Sequence, residues 1–173
     1  MSGDFVSNSV AVRQSEAESD VWRAAQLYDD DQCGMTFSIN VNEDARRGNF
    51  TPDLLTADCV PNVSRFKAVA ANTALVGITV FYFDGQVGDE GETCKDGNSA
   101  VIVISQWSTN ETLAHELGHA LSLEHPNSID GMPPNDMMMS PASYPGRLTT
   151  GQCFRVNVNA TSVLNTLPVF GKA

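Results

Sequence analysis

A mixed α/β (α+β) chain is predicted, its helical and sheet-forming segments interleaved and then giving way to an irregular tail. Segments with helical apolar spacing alternate with valine- and isoleucine-rich runs as far as the histidine-bearing helix. Beyond His125, prolines at 126, 133, 134, 141 and 145, with Gly131 and Gly146, exclude long regular elements as far as about Leu148. At 173 residues, 42% of them hydrophobic, the chain suffices for one domain, whole or split by a cleft into two lobes, and is too short for two.

Residues 1 to 14 carry little pattern. Ser15-Glu16-Ala17-Glu18 reads as a capping box, and Val21, Trp22, Ala25 and Tyr28 recur at helical spacing, which predicts a helix to about Gln32. Met35, Phe37, Ile39 and Val41 alternate with polar residues, the period of a half-buried strand. Asn42 to Pro61 reads as loop, with a short helix near Asp53 to Ala57, and Phe66 to Ala74 as a second short helix. Leu75 to Phe83 is rich in β-branched and aromatic residues and predicts a strand. Asp84 to Asn98, with four glycines and five acidic residues, is expected to be a loop; its oxygens suit calcium, but without D-x-D-x-D-G spacing a solvated loop is favoured over a Ca2+ site. Ala100 to Ser105 is a continuous apolar run, the clearest strand in the chain. Ser108-Thr109-Asn110-Glu111 is a second capping box, opening the helix that carries the histidines. A last helix is expected from Thr149 or Thr150 through Cys153, with a short one near Ser162 to Leu167.

A net charge of -11 argues against nucleic acid and anionic membrane surfaces as partners, and no apolar run approaches the roughly 18 residues of a membrane span. Soluble partners, and a monomer, are expected. Cys33, Cys59, Cys94 and Cys153 form no C-x-x-C pair, so two disulfides in one of three connectivities are expected rather than a thiolate metal site; four buried thiols are the alternative. Asn49, Asn62, Asn110 and Asn159 open N-x-S/T sequons. Met1 to Asp4 has no signal-peptide character, so a secreted form would have lost its signal and any pro-segment ahead of this point.

All three histidines fall within eleven residues, His115-Glu116-Leu117-Gly118-His119-Ala120-Leu121-Ser122-Leu123-Glu124-His125. At about 100° per residue, His115 and His119 share a helix face one turn apart and reach a single ion, while Leu113, Leu117 and Leu121 form the opposite, core-facing stripe. Glu116, beside the first histidine, is the candidate catalytic base for a metal-polarised water. His125 joins the other two only if the chain turns sharply after the helix, because six more helical residues would carry it about 9 Å along the axis. The turn requires a left-handed residue near position 122, where Ser122 stands instead of the usual glycine, at a cost of about 1 kcal/mol or more.

This window resembles the H-E-x-x-H-x-x-G-x-x-H signature of the metzincin clan of zinc endopeptidases, departing from it only at Ser122. Asp136-Met137-Met138-Met139-Ser140-Pro141 resembles the Met-turn of that clan, with Met139 as the methionine under the metal and Met138 as the fallback. The resemblance implies one Zn2+ on His115, His119 and His125, with Asp130 or Asp136 as alternatives to the last. It implies an upper lobe of twisted mixed sheet and two helices to about residue 122, a smaller irregular lobe from about 123 to 173 ending in a helix, and a cleft between. Pro141, Ala142, Ser143, Tyr144 and Pro145 would wall the substrate pocket; Tyr144 is a candidate transition-state contact, and Pro141 occupies the place of the tyrosine ligand of astacin-like members. The activity implied is hydrolysis of protein or peptide substrates outside the cell. A thermolysin-like ligand set is excluded because no glutamate follows Glu124. The competing reading is a zinc-containing binding or toxin-like module without turnover, against which the presence of Glu116 argues.

Overall fold

The computed structural model describes residues 10–30, 33–35, 37, 77–82, 90–96, 99–105, 108–126, 136–138 and 146–159. Across these the chain is mixed α and β: helix α1 (Val10–Asp30), strands β1 (Gly77–Tyr82), β2 (Gly91–Asp96) and β3 (Ser99–Ile104), helix α2 (Thr112–Ala120) and helix α3 (Thr150–Val158). None of the described helices is long and apolar enough to cross a membrane.

The strands lie in the order β1-β3-β2, with β1 parallel to β3 and β2 antiparallel to it. β3 is the central strand, and its apolar run is explained by burial on both faces, with Ala100, Ile102 and Ile104 in the main core and Val101 and Val103 buried on the other side. β2 corrects the expectation of loop from Asp84 to Asn98. It runs back along β3 from Gly91 opposite Ile104 to Asp96 opposite Ser99. Its sequence, Gly-Glu-Thr-Cys-Lys-Asp, has little β-propensity beyond Thr93, and ladder pairing to an apolar neighbour outweighs that local preference.

α1 begins five residues ahead of the expected start, so Ser15 lies inside the helix and is not its cap. Nothing between Gly3 and Gly34 is glycine or proline, and the helix therefore runs on upstream. Its buried stripe is Ala24, Leu27 and Tyr28, with Val21 packed alongside, whereas Trp22 is 64% exposed and does not belong to the stripe. Met35 is buried and Phe37 packs edge-on against Tyr28, so both side chains face inward as expected, in non-regular backbone. The rest of that expected strand lies outside the described residues, as do the short helices near 53–57, 66–74 and 162–167.

α2 packs against β2, β3 and α1. Leu113, Leu117 and Leu121 enter the core as the spacing requires. The expected capping box at its start does not form: the N-cap is Glu111, without a side-chain cap hydrogen bond. Glu111, 2% exposed, is instead paired with Arg23 of α1 at 3.1 Å, so the carboxylate joins two helices. α3 starts at Thr150 as expected, and it is capped by Thr149 with Gln152 in a reciprocal box. A disulfide joins Cys33, just beyond α1, to Cys153 in α3; Cys94 is also disulfide-bonded, and no described cysteine is free.

Candidate metal centre

α2 is held at both ends so that its histidine face meets the chain that follows it. Tyr28, fully buried, donates from its hydroxyl to Ala114 O at 3.0 Å. A Cβ at Gly91 would stand 2.9 Å from both Glu116 Cγ and Thr112 Cγ2, so glycine is what lets β2 approach the helix. Gly118 has the same role on another face, where a Cβ would collide with Met138 Sδ. A glycine inside a helix costs about 1 kcal/mol of propensity against alanine, and this was the one sequence signal that a close neighbour lay there.

The helix ends in a Schellman motif. Leu123 N–H donates to Gly118 O at 2.8 Å, Ser122 N–H donates to His119 O at 2.9 Å, and Ser122 takes the left-handed conformation with φ 72°. Serine thus makes the turn that glycine makes in the resembling signature, and the turn returns His125 to the helix face.

The three imidazoles converge. His115 Nε2 lies 3.1 Å from His119 Nε2 and 3.0 Å from His125 Nε2, and the last two are 3.1 Å apart. His115 is buried, His119 half-buried and His125 exposed, so the cluster opens to solvent on the His125 side. His115 Nδ1–H donates to Met137 O at 2.7 Å, and His119 Nδ1–H donates to Leu123 O at 2.9 Å. A carbonyl only accepts, so each Nδ1 carries the proton and each neutral ring turns its Nε2 lone pair to the centre. Two lone pairs 3.1 Å apart repel, and a cation between them removes the repulsion. Burial, against the carbonyl hydrogen bonds and aided by the neighbouring imidazoles, holds His115 below its usual pKa and pushes His119 down to about 4, which keeps both rings available as ligands.

A supporting chain of hydrogen bonds fixes the carbonyl that orients His115. Met137 N–H donates to Arg147 O at 2.7 Å. Asp136 Oδ1 accepts from Met138 N–H at 2.8 Å and from Gln152 Nε2 at 3.0 Å, so α3 reaches the segment under the cluster. Asp136 Oδ2 is buried without a hydrogen-bond partner among the described residues, and the charge of Asp136 acts on His115 in the sense that favours positive charge there. Asp136 is therefore a neighbour of the cluster; the converging third group is His125.

Glu116, 5% exposed, accepts from Thr93 Oγ1 on β2 at 2.6 Å, and the same hydroxyl lies 2.9 Å from Glu116 O. Thr93 sits in the stretch expected to be loop, and its contact with Glu116 had no signal in the sequence. Met138 is fully buried beneath Gly118. Met139, the first choice for a position under the metal, lies outside the described residues, as do Asp130 and the pocket residues Pro141, Ala142, Ser143, Tyr144 and Pro145.

No family model, curated protein or solved structure matches the chain. The chemistry of the site is therefore what speaks to function. Three Nε2 atoms that all lie within 4.8 Å of one another offer a place for one metal ion. Four-coordinate zinc with Zn–N of about 2.0–2.1 Å separates its nitrogens by roughly 3.3–3.4 Å. Separations of 3.0 to 3.1 Å lie slightly inside that spacing, and the second-nitrogen hydrogen bonds to carbonyls are those of metal-ligating histidines.

Proposed function

We propose that this chain is a zinc-dependent endopeptidase of the metzincin type that hydrolyses peptide bonds of protein substrates. The observation that carries the reading is the convergence of three imidazoles, two with Nε2 freed by fixed tautomers, beside a glutamate that is not one of the three. A structural zinc site closes its fourth position with a protein ligand, whereas three histidines leave one open. When bound, zinc supplies Lewis acidity and a water acidic enough to ionise near neutrality.

Glu116 takes the proton of the attacking water on its carboxylate and passes it to the leaving amine. Thr93 holds Oε2 of that carboxylate in one orientation. An extended peptide pairs with a sheet edge beside the cleft. In this reading the polypeptide after Ser122 forms the lower lobe of a cleft, Met139 or Met138 floors the metal, and residues 141–145 wall the pocket. The disulfide between Cys33 and Cys153 supports an oxidising, extracellular setting.

The test is digestion of casein or gelatin with and without o-phenanthroline, beside Glu116→Ala. Chelator-sensitive cleavage, reduced about a thousandfold or more in a variant that still binds one zinc, is expected. Zinc binding without cleavage of any peptide in a broad panel would leave a binding module, or a hydrolase of another amide, as the better reading.

A further inference from the structure

Side chains of alternate β2 residues run along α2. Gly91 lies against Thr112 and Glu116, Thr93 bonds Glu116, and Lys95, the next on the same face, donates from Nζ to Ser122 Oγ at 2.8 Å. Ser122 is the non-glycine residue with positive φ among those described, and it is the pivot between His119 and His125. Lys95 stands over this turn: its charge acts on His119, and that of Glu124 acts on it.

Glycine at such a pivot permits the left-handed turn but gives a neighbour nothing to hold. Serine makes the conformation costlier and adds a hydroxyl. With the hydroxyl bound from the sheet, the direction of the Cα–Cβ bond is fixed relative to β2, and so is the path of Leu123 to His125. We propose that Lys95 and Ser122 form a clasp that replaces the permissive glycine and sets His125 against the other two imidazoles for the metal. Lys95 is thereby a positioning residue, although simple charge would make it an antagonist of any cation bound nearby. The clasp rests on the metal-site reading but not on the peptidase reading, since it concerns only metal binding.

The two effects of Lys95 have opposite signs, which makes the clasp testable without any substrate. Zinc affinity is measured by competition with a chromophoric chelator, and the Co2+-loaded protein gives a visible spectrum sensitive to the number of nitrogen ligands. Lys95→Met and Ser122→Ala are each expected to weaken zinc binding about tenfold, the lower end for groups that orient a ligand, and to alter the Co2+ bands. Ser122→Gly is expected to remain within about threefold of the parent, because lost strain offsets the lost bond. In that glycine background Lys95→Met should cause no further loss, a rescue that a general weakening of the fold would not give. Unchanged or tighter zinc binding by Lys95→Met, the outcome of removing one positive charge, overturns the clasp, as does a tenfold loss that persists with glycine at 122. A parent protein that takes up neither zinc nor Co2+ overturns the metal reading and the clasp with it, whereas a parent that binds zinc but cleaves nothing defeats only the peptidase.

Discussion

Gly118 stands between two of the three histidines, and its missing side chain is filled by Met138. A Cβ there would also stand 3.0 Å from Met138 Cε and 3.4 Å from the Tyr28 hydroxyl. Met138 and Tyr28 are both fully buried, so neither can retreat into solvent. Gly118→Ala should gain up to about 1 kcal/mol of helix propensity and lose about 1–3 kcal/mol to overpacking. A net destabilisation on the order of 1 kcal/mol in urea unfolding is expected; a stabilised variant would show that Met138 does not fill the site. Asp20 makes a second residue-scale case. Burial pushes its carboxyl up to about 6, the hydrogen bond from Tyr82 at 2.9 Å opposes the rise, and Glu16 and Glu111 add to it. An acid whose folded pKa exceeds its unfolded value near 3.8 stabilises the fold when protonated, and that contribution fades as pH rises from about 4 through about 6. The full shift corresponds to about 3 kcal/mol, which solvent screening of the part-buried carboxyl reduces to roughly 2 kcal/mol. The difference in unfolding free energy between the parent and Asp20→Asn, followed from pH 4 to 7 in the metal-free protein, should shift by this amount in favour of the variant. A difference flat with pH would contradict the raised carboxyl.

Among the elements, those whose own sequence carries their driving force were legible. β3 is apolar from Ala100 onward, the leucine stripe of α2 is opposite its histidines, and α3 begins at Thr150, where a helix through Cys153 was expected. β2 was hidden because its strand character comes from pairing with β3 and from the fit of Gly91 against α2, neither of which marks the local sequence. The box at Ser108 failed for the complementary reason: its glutamate had a better partner, Arg23, 88 residues away in the chain. At the site, the histidine spacing and the need for a left-handed Ser122 could be read from helix geometry, whereas Thr93, Lys95 and Gln152 reach it from distant elements. Gln152 gives the element-scale prediction. Its side chain accepts from Thr149 N and donates to Asp136, so it caps α3 and ties that helix to the segment carrying Met137. Gln152→Ala removes half of the capping box and one of the two donors to a buried carboxylate oxygen. A loss of about 1–3 kcal/mol is expected in urea unfolding. Gln152→Glu, which keeps the cap acceptor but sets a carboxylate against Asp136, should recover none of it at neutral pH. Recovery would mean that the tie to Asp136 contributes nothing.

Over the whole molecule, Cys33–Cys153 closes a loop with a sequence separation of 120 and anchors α3 where Gln152 reaches for Asp136. Closing so long a loop restricts the unfolded chain by an amount worth about 3–5 kcal/mol, a large part of the roughly 5–15 kcal/mol that holds a typical domain folded. A metal at a thousand times its dissociation constant adds about 4 kcal/mol by mass action. The two supports are not independent. The path from the disulfide runs through α3 and Asp136 to the Met137 carbonyl, which accepts the hydrogen bond from His115 Nδ1–H. Cys33→Ala/Cys153→Ala should therefore unfold at lower urea and also bind zinc several-fold more weakly, and by linkage zinc should stabilise it less than it stabilises the parent at the same free concentration. The measurement is a pair of urea titrations on each protein, with zinc buffered at a fixed free level and with chelator. Equal zinc-dependent stabilisation of the two proteins would show that α3 supports the fold without reaching the metal centre. A smaller increment in the variant would place the disulfide among the groups that hold His115 ready for its ion.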